Sequence, residues 1–160
     1  MKTILFLVAF GLLWTCSVSG QDSVDFRKTL EAIHQEFLQN TTVRRVQSKL
    51  SHRDIALYNG IINNYFDSSC INSGPCGQSA DDICSRIRNL LHEYHCYILQ
   101  HPTPDLQMIN VKEPEWKMLT NTMGIYNNGA ICFAFRFNPE NNRIIWLSEI
   151  VKPSRNMAVK

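Results

Sequence analysis

The sequence predicts an α+β fold, with about three N-terminal helices packed on a C-terminal antiparallel sheet of three to four strands. Three features lead there. The spacing of apolar residues is helical up to Pro104 and alternates after it. Asn127-Asn128-Gly129 is a hairpin turn signal, because Asn and Gly tolerate the positive φ of a tight turn. The segment after it alternates large apolar residues with smaller or polar ones. No repeat, low-complexity stretch or linker divides the chain, so residues 21–160 read as a single disulfide-containing α+β domain.

Residues 1–20 read as a signal peptide. Lys2 supplies a positive charge, Ile4 to Trp14 is apolar but for Gly11, and Thr15 to Gly20 ends in small residues. Val18 and Gly20 stand where a signal peptidase prefers small side chains, so cleavage is expected before Gln21. The apolar run is well short of the roughly 20 residues that span a bilayer. No later segment could span one, so the mature chain is expected to be secreted and extracellular, with no membrane association.

Removing 20 of 160 residues leaves 140, enough for one real core. Loss of Lys2 takes the formal charge from +2 to +1, and a near-neutral chain gives no electrostatic case for nucleic acid. With 44% hydrophobic and 19% charged residues, the composition argues against disorder.

The first helix opens at Asp22-Ser23 and carries Phe26, Leu30, Ile33 and Phe37 on one face. Val43, Val46 and Leu50 continue the helical spacing through a basic stretch. Ser51-His52-Arg53-Asp54 resembles a capping box, opening a second helix over about 53–67. Its expected buried face is Ile55, Tyr58, Ile62 and Tyr65, with Ile61 and Phe66 at the edge. Cys70 to Gly77 reads as a turn-rich loop. The third helix runs from Ser79 to about Leu99, with Asp81 and Asp82 favourably placed at its positive end. Ile83, Ile87, Leu90, Leu91, Tyr94 and Ile98 form its stripe, and Pro102 and Pro104 end it. Strands are expected over Leu106–Val111, Trp116–Tyr126, Ile131–Phe137 and Arg143–Val151. In the third of these Ile131, Phe133, Phe135 and Phe137 point to the helices, and Cys132, Ala134 and Arg136 point away.

Cys16 leaves with the signal, so five cysteines remain: Cys70, Cys76, Cys84, Cys96 and Cys132. An oxidising compartment favours pairing, and an odd number leaves at least one thiol free or joined to a second chain, so an oligomer is possible through it. Cys84 and Cys96 lie twelve residues apart on one helix, roughly 18 Å at about 1.5 Å per residue. They cannot bond each other. Cys84 is expected to pair with Cys70 or Cys76, and Cys96 with Cys132 could tie helix to sheet. Asn40-Thr41-Thr42 is an N-glycosylation sequon at a helix end.

The helix ending at His101-Pro102-Thr103-Pro104-Asp105-Leu106, followed by long strands, resembles the NTF2-like (SnoaL-like) superfamily. So does the closing hairpin of Phe133-Ala134-Phe135-Arg136-Phe137 and Asn142-Arg143-Ile144-Ile145. The resemblance covers the C-terminal half and implies a curved sheet wrapped around helices as a cone with a pocket. The loop between Cys70 and Cys76 departs from that pattern. The resemblance carries over no functional residues, since that fold hosts enzymes and binding modules alike.

His92 and Cys96 are four apart on one helical face, a zinc-chelating spacing that His101 or Cys132 would have to complete. The plainer reading is a polar helix edge beside a disulfide cysteine. A cysteine nucleophile would need a histidine and a polar cleft, and no family signature surrounds any cysteine here. Asp81 with Asp82 reads as helix-terminal charge, and Glu113 with Glu115 as a loop around Pro114. Arg44, Arg45, Lys49, His52 and Arg53 form a basic cluster, an anion contact or a solvated face. Trp116 and Trp146 with Phe133, Phe135 and Phe137 line an apolar pocket or fill a core. No nucleophile elbow or phosphate-binding glycine loop occurs, and no cofactor or metal is expected. The sequence therefore points to a secreted, non-catalytic protein that binds an extracellular partner or a small apolar ligand. The alternative is a small secreted enzyme using the pocket of an NTF2-like cone.

Overall fold

The computed structural model describes residues 19–40, 50–72, 78–109 and 120–150, with side chains from residue 25 onward. Among the described residues four helices precede a four-stranded antiparallel sheet, the α+β arrangement expected. The helices are α1 (Ser19–Gln39), α2 (His52–Tyr65), α3 (Ser68–Asn72) and α4 (Ala80–Gln100). The strands are β1 (Asp105–Met108), β2 (Thr122–Asn127), β3 (Ala130–Phe137) and β4 (Ile144–Glu149), side by side in that order as a meander. No described helix is long and apolar enough to cross a membrane. Of the expected signal segment only Ser19 and Gly20 fall within the described residues, as the start of α1.

Two helices begin at capping boxes. Ser51 and Asp54 exchange side-chain-to-backbone hydrogen bonds before α2, and Ser79 and Asp82 do so before α4. Asp82 is thereby committed to its helix end. The stripe of α1 is buried as its spacing predicts, with Phe26, Leu30, Ile33 and Phe37 all fully covered. Helix α2 is rotated from its expected face: Tyr58, Ile61, Ile62 and the following Phe66 are buried, while Ile55 and Tyr65 are half-buried. The reason is tertiary. Tyr65 donates a 2.8 Å hydrogen bond to Glu36 of α1, which holds its hydroxyl at the helix margin. Residues 68–72, overlapping the start of the loop expected from Cys70, form the short helix α3, opened by Asp67, whose Oδ1 accepts from the Ser69 N–H at 2.9 Å.

The sheet's central hairpin turns at Asn128 and Gly129, with φ of 51° and 75°, the left-handed pair of a type I′ turn. Phe133, Phe135 and Phe137 of β3 face the helices. Tyr94 of α4 lies against Phe133 and Phe135, at 5.0 and 4.8 Å between ring centroids. The register slips between Ile125 and Tyr126, so that Ile125 opposes Phe133 and Tyr126 opposes Ile131. Cys132 is the extra residue of that bulge, and it corrects an expectation. Instead of pointing away, Cys132 lines a cavity with Cys96 and Tyr97 of α4. A second slip lies between Arg136 and Phe137, leaving Ile145 of β4 unopposed. Gly124 of β2 lies under the Tyr126 ring: a β-carbon there would come within 2.7 Å of the ring.

The strands are shorter than expected at β1 and β4. The helical spacing from Val43 and the strand start at Trp116 lie outside the described residues.

Candidate functional site

Helix α4 is buried over a wider arc than its apolar stripe, because α1 and α2 pack on one side of it and the sheet on the other. His92 and His95, expected as a polar edge, and Cys96, expected as a disulfide cysteine beside it, are all buried. Their polar atoms are therefore obliged to find partners. His95 Nε2 lies 3.1 Å from the Phe37 carbonyl, and its Nδ1 lies 3.0 Å from the Tyr58 hydroxyl. The same hydroxyl lies 3.1 Å from His92 Nδ1, and His92 Nε2 lies 3.9 Å from Cys96 Sγ.

The direction of this chain follows from its end. A carbonyl only accepts, so His95 Nε2 carries a proton. Burial lowers the His95 pKa, so the ring is neutral near pH 7 and its Nδ1 accepts from Tyr58. The Tyr58 oxygen then accepts from His92 Nδ1–H. In the neutral tautomer with the proton on Nδ1, His92 Nε2 is an acceptor facing the Cys96 thiol. Burial, then the Glu93 and Asp54 carboxylates, raises the Cys96 pKa. Burial first and Asp54 next push the Tyr58 hydroxyl upward too. Nearby, Tyr94 and His34 form a separate buried hydrogen bond between α4 and α1. Burial lowers His34 to about 4.

Two cavities lie against α4. The first, about 540 Å³, opens between the second half of α4 and the end of the sheet formed by the β2–β3 turn, the start of β3 and the end of β4. Cys96, Tyr97, Cys132 and Phe133 form its inner wall, and Glu93 and Glu149 stand at it as acids. The second, about 460 Å³, lies between the first half of α4, α3 and β4. Its wall is Ile83, Ile87, Leu90, Ile145, Trp146 and Leu147, and Arg86 is its one charged side chain. Arg86 makes a long 3.4 Å contact to Gln78, and among the described residues the one ion pair is Lys28–Asp25. Among the described residues the Arg86 charge thus has no carboxylate partner.

The sequence candidates separate in space. Phe135 and Phe137 fill the core, Phe133 is buried yet lies on the inner wall of the first cavity, and Trp146 is 38% exposed and walls the second cavity. Cys70, Cys84, Cys96 and Cys132 form no disulfide with one another, and Cys76 lies outside the described residues. Cys70 sits close enough to Cys84 for their charges to interact; burial first raises its pKa to about 11. Asn40 follows α1 directly, and its Nδ2 donates to the Glu36 carbonyl at 2.8 Å. His52 and Arg53 are exposed on the first turn of α2, while Arg44, Arg45, Lys49, Glu113, Glu115 and Trp116 lie outside the described residues. Among the described residues no three His, Cys, Asp or Glu side chains converge as a metal site requires. Sequence reasoning missed the bond between Tyr58 and His95 and the separate pair of His34 and Tyr94. The available signal was that His34 follows Leu30, and His95 follows Leu91, by four residues, which puts both histidines on buried faces.

In comparisons with family models, curated proteins and solved structures, nothing matches this chain.

Proposed function

We propose that this is an exported, non-catalytic protein that binds a small apolar molecule with an anionic head in the cavity between α3, α4 and β4. The observation that carries the reading is Arg86, a cation with no carboxylate partner among the described residues, at a wall of isoleucine, leucine and Trp146 that also includes Ser69, Cys70 and Gln78. The arrangement suits an amphiphile: the tail displaces water from the isoleucine, leucine and Trp146 surfaces, and a carboxylate head meets the guanidinium. The volume of about 460 Å³ falls within the roughly 300–1,000 Å³ typical of small-molecule sites. Export rests on the N-terminal leader, and intact mass of a secreted product is expected to place its first residue at Gln21.

Dodecanoate is the probe. Its titration is expected to change the fluorescence of Trp146, a signal absent from Trp146→Phe. Arg86→Glu is expected to weaken binding about tenfold or more, and dodecylamine to bind far less well. Equal affinity of the acid and the amine, or no loss in Arg86→Glu, would sink the proposal.

A further inference from the structure

The other cavity carries a different chemistry. Cys96 is 8% exposed and forms part of its wall, so the thiol has a solvent-side approach while its inner side touches His92. The thiol does not stand alone. Its imidazole neighbour is held by Tyr58, Tyr58 by His95, and His95 by the Phe37 carbonyl, an arrangement that turns the accepting nitrogen of His92 toward sulfur. A base oriented by a third group beside a thiol is the geometry of an activated sulfur nucleophile.

We infer that Cys96 is a thiol–disulfide exchange site for low-mass disulfides bearing amines, with His92 as its base. Cys96 Sγ attacks one sulfur of the disulfide R–S–S–R, and its proton passes to His92 Nε2. The S–S bond breaks, and the departing thiolate takes that proton from His92. The products are Cys96–S–S–R and R–SH; the low-mass disulfide is the oxidant, and atoms and electrons balance. Because Glu93 and Asp54 add to burial in keeping the thiol protonated, the base is needed at the moment of attack. The preference for amines follows from Glu93 and Glu149, the two carboxylates at the cavity.

The test is to incubate the reduced full chain with cystamine or with oxidised glutathione, which is anionic, and to map adducts by peptide mass. Cys96 is expected to react with cystamine about fivefold faster than with glutathione disulfide. His92→Phe is expected to slow Cys96 by about tenfold or more, while Cys84, remote on the same helix, reacts unchanged. Tyr58→Phe keeps the ring and removes the hydroxyl that positions His92; it is expected to shift the pH profile of the Cys96 rate and leave that of Cys84 alone. If His92→Phe does not fold, the Tyr58→Phe profile and the two-disulfide comparison on the parent chain decide. Adducts confined to other cysteines, a Cys96 rate indifferent to both substitutions, or faster reaction with glutathione disulfide would each overturn the assignment. Dodecanoate binding and this exchange use separate cavities, so either can fail without the other.

Discussion

Asp67 accepts a 2.7 Å hydrogen bond from Nδ2 of Asn141, a residue 74 positions further along the chain. The pair fastens the end of α2 to the β3–β4 turn. Asn138 adds a second amide bond at 3.2 Å, and the Asp67 N–H donates to the Ile144 carbonyl at 2.8 Å. Arg143 completes the clasp by donating to the carbonyls of Phe66 and Asn63. In consequence the turn residue Asn142, at φ 57°, is held from both sides.

Asp67→Asn should show what the charge contributes. The Asn141 bond and then Ser69 hold the Asp67 carboxyl well below the usual carboxylate range. A depressed folded pKa gives stability that is present above the unfolded value, about 3.9, and lost as pH falls below it. Asp67→Asn is therefore expected to cost about 2 kcal/mol near neutral pH. Denaturant melts should show parent and variant converging as the medium becomes strongly acidic. A gap that persists unchanged in acid would mean that shape, and not charge, holds the clasp.

Phe135→Ala is expected to destabilise the fold by about 3–5 kcal/mol. Phe135 is fully buried against Tyr94, and its removal leaves a cavity between helix and sheet. Arg136, half-buried on the opposite face and across from Trp146, should cost little when replaced by Lys. Urea denaturation of both variants checks the register of β3: similar losses at the two positions would contradict it.

The periodicity made Phe135 legible, as it did the α1 stripe and the Asn128-Gly129 turn, because each depends on neighbours within a few residues. The rotation of α2 was not legible, since it is set by Glu36 accepting from Tyr65 across 29 residues. The bulge at Cys132 was hidden for a related reason: one extra residue shifts a side chain to the other face without changing the local alternation of residue types. His92 and His95 looked like a polar edge because their hydrogen-bond partners, Tyr58 and the Phe37 carbonyl, belong to other helices. Polar type alone does not disclose burial.

In an oxidising medium Cys84 is expected to bond to Cys70 or Cys76 and never to Cys96. Both Cys84 and Cys96 lie on α4, twelve residues apart, so roughly 18 Å of helix separates them, far beyond the about 7 Å limit between α-carbons. Non-reducing peptide mapping checks this directly. A Cys84–Cys96 link would require α4 to be broken.

The pH dependence of stability should carry the signature of His34. This ring is 5% exposed, hydrogen-bonded to Tyr94, and lowered by burial to about 4. In the unfolded chain a histidine titrates near about 6.5. Between those values the unfolded state binds more protons, so stability is full above the unfolded pKa and declines as pH falls toward the folded one. The decline attributable to His34 is expected to be about 3 kcal/mol. His95, lowered by burial as well, acts in the same direction. The variant that isolates His34 is the double replacement His34→Phe with Tyr94→Phe, because removing one partner alone would leave the other unpaired in the core. Its stability, measured by denaturant titration from neutral pH into mild acid, should fall less steeply than that of the parent by about that amount. Parallel curves for parent and double variant would show that His34 gains its proton without opening the fold.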